Sequence, residues 1–374
     1  MVADGGSGED EFIGRFFRPI ATDAAARGLL DDAAILTPPA DCDLVLTKDA
    51  VVAGVHFFPD DPPASIARKV MRVNLSDLAA KGARPLGALL ALALPRDVTG
   101  AWMEAFSAGL GADADLYGCP ILGGDTVRTP GPLTLSITAF GAVPRGRFVP
   151  RTGARPDQAI VVSGTIGDAA LGLQWRLDPA RPGFAALDPA HIAHLADRYL
   201  HPQPRLALAG ALRDHAAAGM DVSDGLVGDV AKMLSASGCG GRIFAARVPL
   251  SLAARAAISA EPALFATALT GGDDYEIAAT LPLAEVEAFL AAAREAGIPC
   301  TVIGETRAEG GLDLLGPDGT HIAAELQPFL RTAAVRSRAR PDPAIALRNQ
   351  SPCPPLSCGI ALPHGGGLRP DLHL

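Results

Sequence analysis

A two-domain α/β protein is the fold this sequence predicts, and three observations carry that expectation. The chain has 374 residues, long for a single core and nearer the length of two domains. In both halves, short apolar runs of strand length alternate with segments whose apolar residues recur at helical spacing. Between the halves, Pro144 to Pro156 is rich in Pro, Gly and Arg and has the composition of a link.

Taken in order, Glu11 to Arg27 reads as an amphipathic opening helix, and a strand from Leu44 to Leu46 and beyond delivers Asp49. Ala64 to Gly82 is helical by period, with Ile66, Val70, Val73 and Leu78 on or near one face. Leu86 to Leu94 reads as a strand, Ala101 to Tyr117 as a helix and Leu133 to Val143 as an alternating strand. In the second half Ala159 to Ser163 is a strand, Gly167 starts a helix, and Arg205 to Ala217 is helical. Asp224 to Ser237 is a further helix, opened by a Ser-Asp pair suited to N-capping. Ile277 to Leu281 and Cys300 to Ile303 are strands around a helix from Leu283 to Ala296. From about Thr332 the chain has no apolar period and is expected to be a disordered tail. The expected organisation is a helical opening segment (1–27), an N-terminal domain (28–145), a C-terminal α/β domain (146–331) and the tail (332–374).

Composition narrows the function classes. A net charge of −9 argues against nucleic-acid or anionic-membrane partners, which need clustered Lys and Arg. Any anionic substrate must then be held through metals and a few placed basic residues. Six scattered cysteines without a C-x-x-C pair indicate neither a zinc site nor a disulfide framework. The start, Met1 to Phe12, is Gly-rich and acidic, unlike a secretory signal. The run from Leu86 to Leu94 is too short to cross a bilayer, which takes ~20 residues. A reduced cytoplasm is the expected compartment.

Chemistry is concentrated in six acidic clusters, most of them beside Gly, Ser or Asn: Asp31-Asp32, Asp49, Asn74 to Asp77, Gly123-Gly124-Asp125-Thr126, Asp221 to Gly225 and Gly271 to Glu276. If they converge, their repulsion requires cations, and hard cations such as Mg²⁺ with oxygen ligands and substrate phosphates meet that need. Each cluster also has a plain reading. Asn74 and Asp77 share a helix face, but Lys81, four residues on from Asp77, would make an ordinary ion pair. The Gly123-Gly124 pair allows positive φ and offers N–H groups to a phosphate, or is a tight turn capped by Asp125. Asp221, Ser223 and Asp224 precede a helix whose N-terminus would favour phosphate, and a Ser/Asp cap accounts for only part of that set. Three acids in Asp273-Asp274-Tyr275-Glu276, directly before a strand, are costly unless paired or metal-bound, or else lie in a solvated loop. His56 is a structural hydrogen-bonder or a catalyst, Arg151 a bidentate phosphate ligand or a surface charge, and Tyr117 a stacking partner for a base or core filling.

No G-x-x-x-x-G-K-[ST] loop and no kinase-type H-R-D or D-F-G set is present, so any ATP is expected to be held mainly by metals on the Asp clusters. No activated Ser, Cys or His nucleophile stands out either, which predicts direct in-line transfer.

In order and spacing, the clusters resemble the thiamine-monophosphate kinase family, part of the superfamily that includes aminoimidazole ribonucleotide synthetase and selenophosphate synthetase. The resemblance runs from about Glu11 to Phe329. It rests on Asp31 to Ala34, Thr47-Lys48-Asp49, Gly54 to Phe57, Asn74 to Ala83, Gly123 to Thr126, Asp221 to Leu226 and Gly271 to Glu276. It implies ATP-dependent phosphorylation of thiamine monophosphate to thiamine diphosphate with several Mg²⁺ ions. It also implies a two-domain synthetase-like fold with mixed sheets, whose N-terminal sheet pairs across a homodimer. By position, Asp32, Thr47, Asp49, Asp77, Asp125, Asp221 and Asp224 match metal ligands, with Asp125 and Asp224 expected to matter most for catalysis. Tyr117, Gly124, Asp125, Arg151 and Ser223 match ATP contacts, and His56, Asp273 and Leu326 match acceptor contacts. Three positions depart from the family pattern: Lys48 stands for the usual Thr, Asp273 for Glu, and Leu326 for an aromatic residue.

Two other functions compete: another phosphotransferase of the superfamily with a different acceptor, and a non-catalytic nucleotide- or thiamine-phosphate-binding regulator. The selenophosphate synthetase pattern would need an early reactive Cys, and no Cys precedes Cys42. The intact Asp set disfavours the regulator.

Overall fold

Residues 8–316 and 318–322 are described by the structure, a computed structural model. The expected tail and Leu326 lie outside the described residues.

The first half runs α1 (Gly8–Phe16), β1 (Cys42–Val52), α2 (Pro63–Ala80), β2 (Arg84–Leu94), α3 (Gly100–Tyr117), β3 (Ile121–Arg128) and β4 (Thr134–Pro144). The strands form one sheet in the order β1-β4-β2-β3, antiparallel except for the β2–β3 pair. Alternation decides its faces. Val45 and Val51 of β1, Leu90 and Leu92 of β2 and Leu135 and Ile137 of β4 are buried in one core with α2 and α3. On the other face Leu44 and Leu46 are exposed.

The second half runs β5 (Gln158–Ser163), α4 (Asp168–Leu177), α5 (Pro182–Ala185), α6 (Pro189–Leu200), α7 (Ala209–His215), β6 (Ala218–Val222), α8 (Leu226–Ala236), β7 (Gly240–Phe244), α9 (Leu252–Ala260), α10 (Leu264–Thr270), β8 (Glu276–Pro282), α11 (Val286–Glu295), β9 (Cys300–Arg307) and β10 (Gly311–Leu315). Its sheet has the order β10-β7-β9-β5-β8-β6, with only β7 and β10 parallel. Both sheets are therefore mixed, in a two-domain α/β fold.

α2 joins the halves. It packs on β1 and β4 on one side and on β6, β8 and α7 on the other. A helix so enclosed is buried almost all round, so its polar residues Lys69, Arg72, Asn74 and Ser76 are inside the protein.

Three expectations are corrected. Gly123-Gly124-Asp125-Thr126 is not a turn but the body of β3, and neither glycine has positive φ. A Cβ at Gly124 would lie 2.0 Å from the Leu90 carbonyl oxygen, so strand packing requires this glycine. The opening helix stops at Phe16, and the chain continues in 3-10 turns with Arg27 and Gly28 left-handed. Helix α8 starts at Leu226 after Gly225, without the expected Ser-Asp side-chain cap. Instead Asp229 reaches back and accepts from the Ser223 and Asp224 N–H groups at 3.0 and 2.8 Å. Among the described residues no helix is long and apolar enough to cross a membrane.

Candidate active site

β1 and α2 build the first wall. Thr47 and Asp49 alternate toward α2, where the Thr47 hydroxyl donates to Asp77. The Asn74 carboxamide accepts from the Asp49 N–H at 2.9 Å and donates to the Val70 carbonyl at 2.9 Å. A buried Asn therefore locks β1 to the helix that carries Asp77.

β6 and the loop after it build the second wall. Asp221 is buried, and its carboxyl is pushed up to about 7 by burial first and then by Asp77. Asp49 is pushed up too, by burial, Asp77 and Asp224. Two of these influences, Asp77 on Asp221 and Asp224 on Asp49, run between residues of opposite halves, so acids of both halves lie near one another. The ordinary Lys81–Asp77 ion pair that the helix spacing allowed is not formed: the Lys81 ammonium donates to the Gly219 carbonyl at 2.8 Å. Burial and the Arg151 charge lower its pKa. Asp224 is exposed and held by Lys232 at 2.5 Å, while Lys232 also reaches Asp229 at 3.0 Å.

The densest acidic cluster separates into four jobs. Asp273 pairs with the buried Lys69 at 2.9 Å, and the Lys69 ammonium stands 3.9 Å over the Tyr199 ring. Asp274 is buried and accepts from the Gly167 N–H at 2.8 Å, at the start of α4, with burial raising its pKa strongly. Glu276 accepts from Ser163 at 2.6 Å and from Arg198 at 2.8 Å, and Arg205 closes the network. Tyr275 turns its phenol among the acids, and its pKa is raised by burial and then by Asp273, Asp221, Asp49 and Asp77. Asp273 and Tyr275 sit at φ 71° and 51°, a left-handed backbone that bulky residues adopt only under constraint. The sequence reading missed Tyr275, Asp229 and Lys232 as parts of the site; the one available signal was their place beside the acidic motifs.

Asp32 and Asp125 lie elsewhere. The pairing Ala91–Asp125 and Ala91–Ser136 places Asp125 on the open face of the first sheet, opposite to Thr47 and Asp49. There Asp32, Gly124, Asp125 and Lys48 line a cavity of about 700 Å³ beneath the opening segment. His56 is exposed in the turn after β1, where its Nδ1 accepts from the Val52 N–H at 3.1 Å. Arg151 is exposed, and its carbonyl accepts from Ser237 at 3.2 Å. The Ser223 carbonyl accepts from the Asp273 N–H at 2.9 Å. Tyr117 ends α3 against Arg72, 5.5 Å from the ring centre, and Arg72 is paired with the buried Asp113 at 2.6 Å.

The donors gathered by β1, α2 and β6 are hydroxyl and carboxylate oxygens, and burial together with the Asp77 charge raises the pKa of Asp49 and Asp221, which fits a hard divalent cation. Among the described residues, no three His, Cys, Asp or Glu side chains already stand together as a metal cage. Such a set suits an ion that keeps waters and shares phosphate ligands.

Residues 30–143 match the AIR synthase related protein N-terminal domain, and residues 155–323 match the C-terminal domain of the same family. A thiamine-monophosphate kinase of Caulobacter vibrioides is 44% identical over 301 residues, 79% of this chain and 83% of the relative. The crystal structure of thiamine-monophosphate kinase from Stenotrophomonas maltophilia K279a superposes with a TM-score of 0.73 at 39% identity, covering 81% of this chain and 93% of that one. AaThiL complexed with AMPPCP and TMP superposes with a TM-score of 0.67 at 30% identity, covering 77% and 87%. Over both domains, then, this chain belongs to the thiamine-monophosphate kinase family.

Proposed function

We propose that this chain transfers the γ-phosphoryl group of ATP to the phosphate of thiamine monophosphate, giving thiamine diphosphate and ADP. The observation that carries the reading is the convergence of Asp49, Asp77, Asp221 and Asp224 from both halves, in a chain with this family membership.

The acceptor phosphate is ionised at neutral pH, so positioning and charge neutralisation matter more than a general base. An acceptor oxygen forms a bond to the γ-phosphorus as the bond to the β,γ-bridging oxygen breaks, and ADP leaves. Several Mg²⁺ ions, held by Thr47, Asp49, Asp77, Asp221 and Asp224 and on the cavity side by Asp32 and Asp125, would supply the neutralising charge. By family position Tyr117, Gly124, Arg151 and Ser223 are the nucleotide residues, of which Gly124 lines the cavity on the open sheet face, and His56, Asp273 and Leu326 are the acceptor residues. We place the enzyme in the cytoplasm as a homodimer, a second copy covering the exposed Leu44 and Leu46 on the open sheet face.

The test is ADP release from ATP and Mg²⁺ across a panel of phosphorylated acceptors, with products resolved by chromatography. Thiamine diphosphate is expected from thiamine monophosphate. ADP formed only with another acceptor would keep the phosphotransferase and change its substrate. Tight binding of both ligands without turnover would make the protein a regulator.

A further inference from the structure

The cavity on the open sheet face is acidic, with one exception. Lys48 is the only basic residue among those lining it, against Glu9, Asp31, Asp32 and Asp125. Its ammonium donates to the Ser136 hydroxyl at 2.6 Å, and Ser136 donates to the Asp49 carbonyl at 3.0 Å. That contact uses one of three N–H donors, and among the described residues no carboxylate stands within ion-pair distance of this ammonium. A cation among four acids that pairs with none of them is oriented for something else.

The register sets how far Lys48 stands from the rest of the cavity wall. Lys48 is level with Thr138, Leu89 and Gly123 across the sheet. Three strand spacings of ~4.8 Å separate its backbone from the Gly123-Gly124-Asp125 run, about 14 Å in all. A lone phosphate cannot span that distance, whereas an extended polyphosphate ester reaches toward both ends. The same cavity has an apolar wall that includes Phe12, Phe17, Leu29 and Phe140.

We infer that Lys48 is a phosphate-binding residue of the nucleotide site, meeting the anionic end of ATP on the open sheet face with charge that divalent cations would otherwise have to supply. This deepens the phosphotransferase reading and rests on it. Thr47 and Asp49, its neighbours in β1, face the other way, so the three successive residues serve the two sides of one sheet.

The test is calorimetric binding of the non-hydrolysable analogue AMPPCP to the full-length protein at fixed Mg²⁺, with thiamine monophosphate binding measured in parallel. Lys48 is exposed, so Lys48→Met should leave the thermal midpoint unchanged. Losing one charge-assisted contact should weaken AMPPCP about tenfold or more. Thiamine monophosphate affinity should change less than twofold, and half-saturation by Mg²⁺ should move to higher concentration. Lys48→Arg should recover most of the affinity. AMPPCP binding to Lys48→Met within twofold of wild type, or equal weakening of both ligands, overturns the inference while wild-type turnover leaves the kinase reading intact. Wild-type protein that binds neither ligand overturns the kinase reading itself, and the inference with it.

Discussion

At the scale of single residues, Asp221 carries the largest electrostatic consequence. Its folded pKa, raised to about 7, lies above the ordinary carboxylate value, so the folded state keeps a proton that the unfolded chain releases. In metal-free protein this makes stability fall as pH rises from about 4 to about 7, and level off above. Asp221→Asn removes the charge and keeps the shape. In EDTA at pH 8 it is expected to melt higher than wild type and to show a flatter pH dependence over that window. It should also lose the Mg²⁺-induced rise in melting temperature and nearly all turnover, because an amide cannot replace an anionic ligand. A variant less stable than wild type in EDTA at pH 8 would refute this account.

At the scale of elements, the Gly271 to Glu276 segment links strand to helix rather than acting as one metal cage. Asp274 holds the N-terminus of α4 through the Gly167 N–H. Asp274→Ala should cost about 1–2 kcal/mol in denaturant unfolding through loss of the cap. Asp274→Asn keeps a carbonyl acceptor and should stay within about 1 kcal/mol of wild type, with turnover within threefold. Collapse of turnover in the folded Asn variant would mean that Asp274 is a metal ligand. Some unforeseen elements were readable: Asp188-Pro189 is a cap followed by Pro in the first turn, and Asp188 does accept from the His191 N–H at 2.8 Å to start α6. Strand β3 was not, because Gly-Gly-Asp has turn chemistry, and only its parallel partner β2 makes it extended.

At the scale of the whole molecule, the buried helix α2 packs against both halves, and Arg176 pairs with Asp60 and Asp61 across the same boundary. Lys69 to Asp273 and Lys81 to Gly219 cross that boundary from α2. The first sheet leaves its other face open, with Leu46 61% exposed, which is an unusual place for a large apolar side chain in β1. Leu46→Glu puts a charge there without touching the core. It is expected to convert a dimer into monomers by light scattering, with circular dichroism unchanged and turnover reduced. A wild-type monomer at micromolar concentration would remove the dimer from this account.

By itself the sequence determined the alternation of elements and the family, since periodicity and motif order are local properties of the chain. Strand alternation is also local, so Lys48 faces away from Thr47 and Asp49 whatever β1 packs against. What only the tertiary structure decided was partnership. Asp49 feels the charge of Asp224, Lys69 pairs with Asp273, and Asp274 accepts from Gly167 across separations of more than a hundred residues. Spacing in the chain carries no information about those distances. Nor could it show which acids are desolvated: Asp221 and Asp274 are buried while Asp125 and Asp224 stand exposed, and burial, not residue type, separates their chemistry.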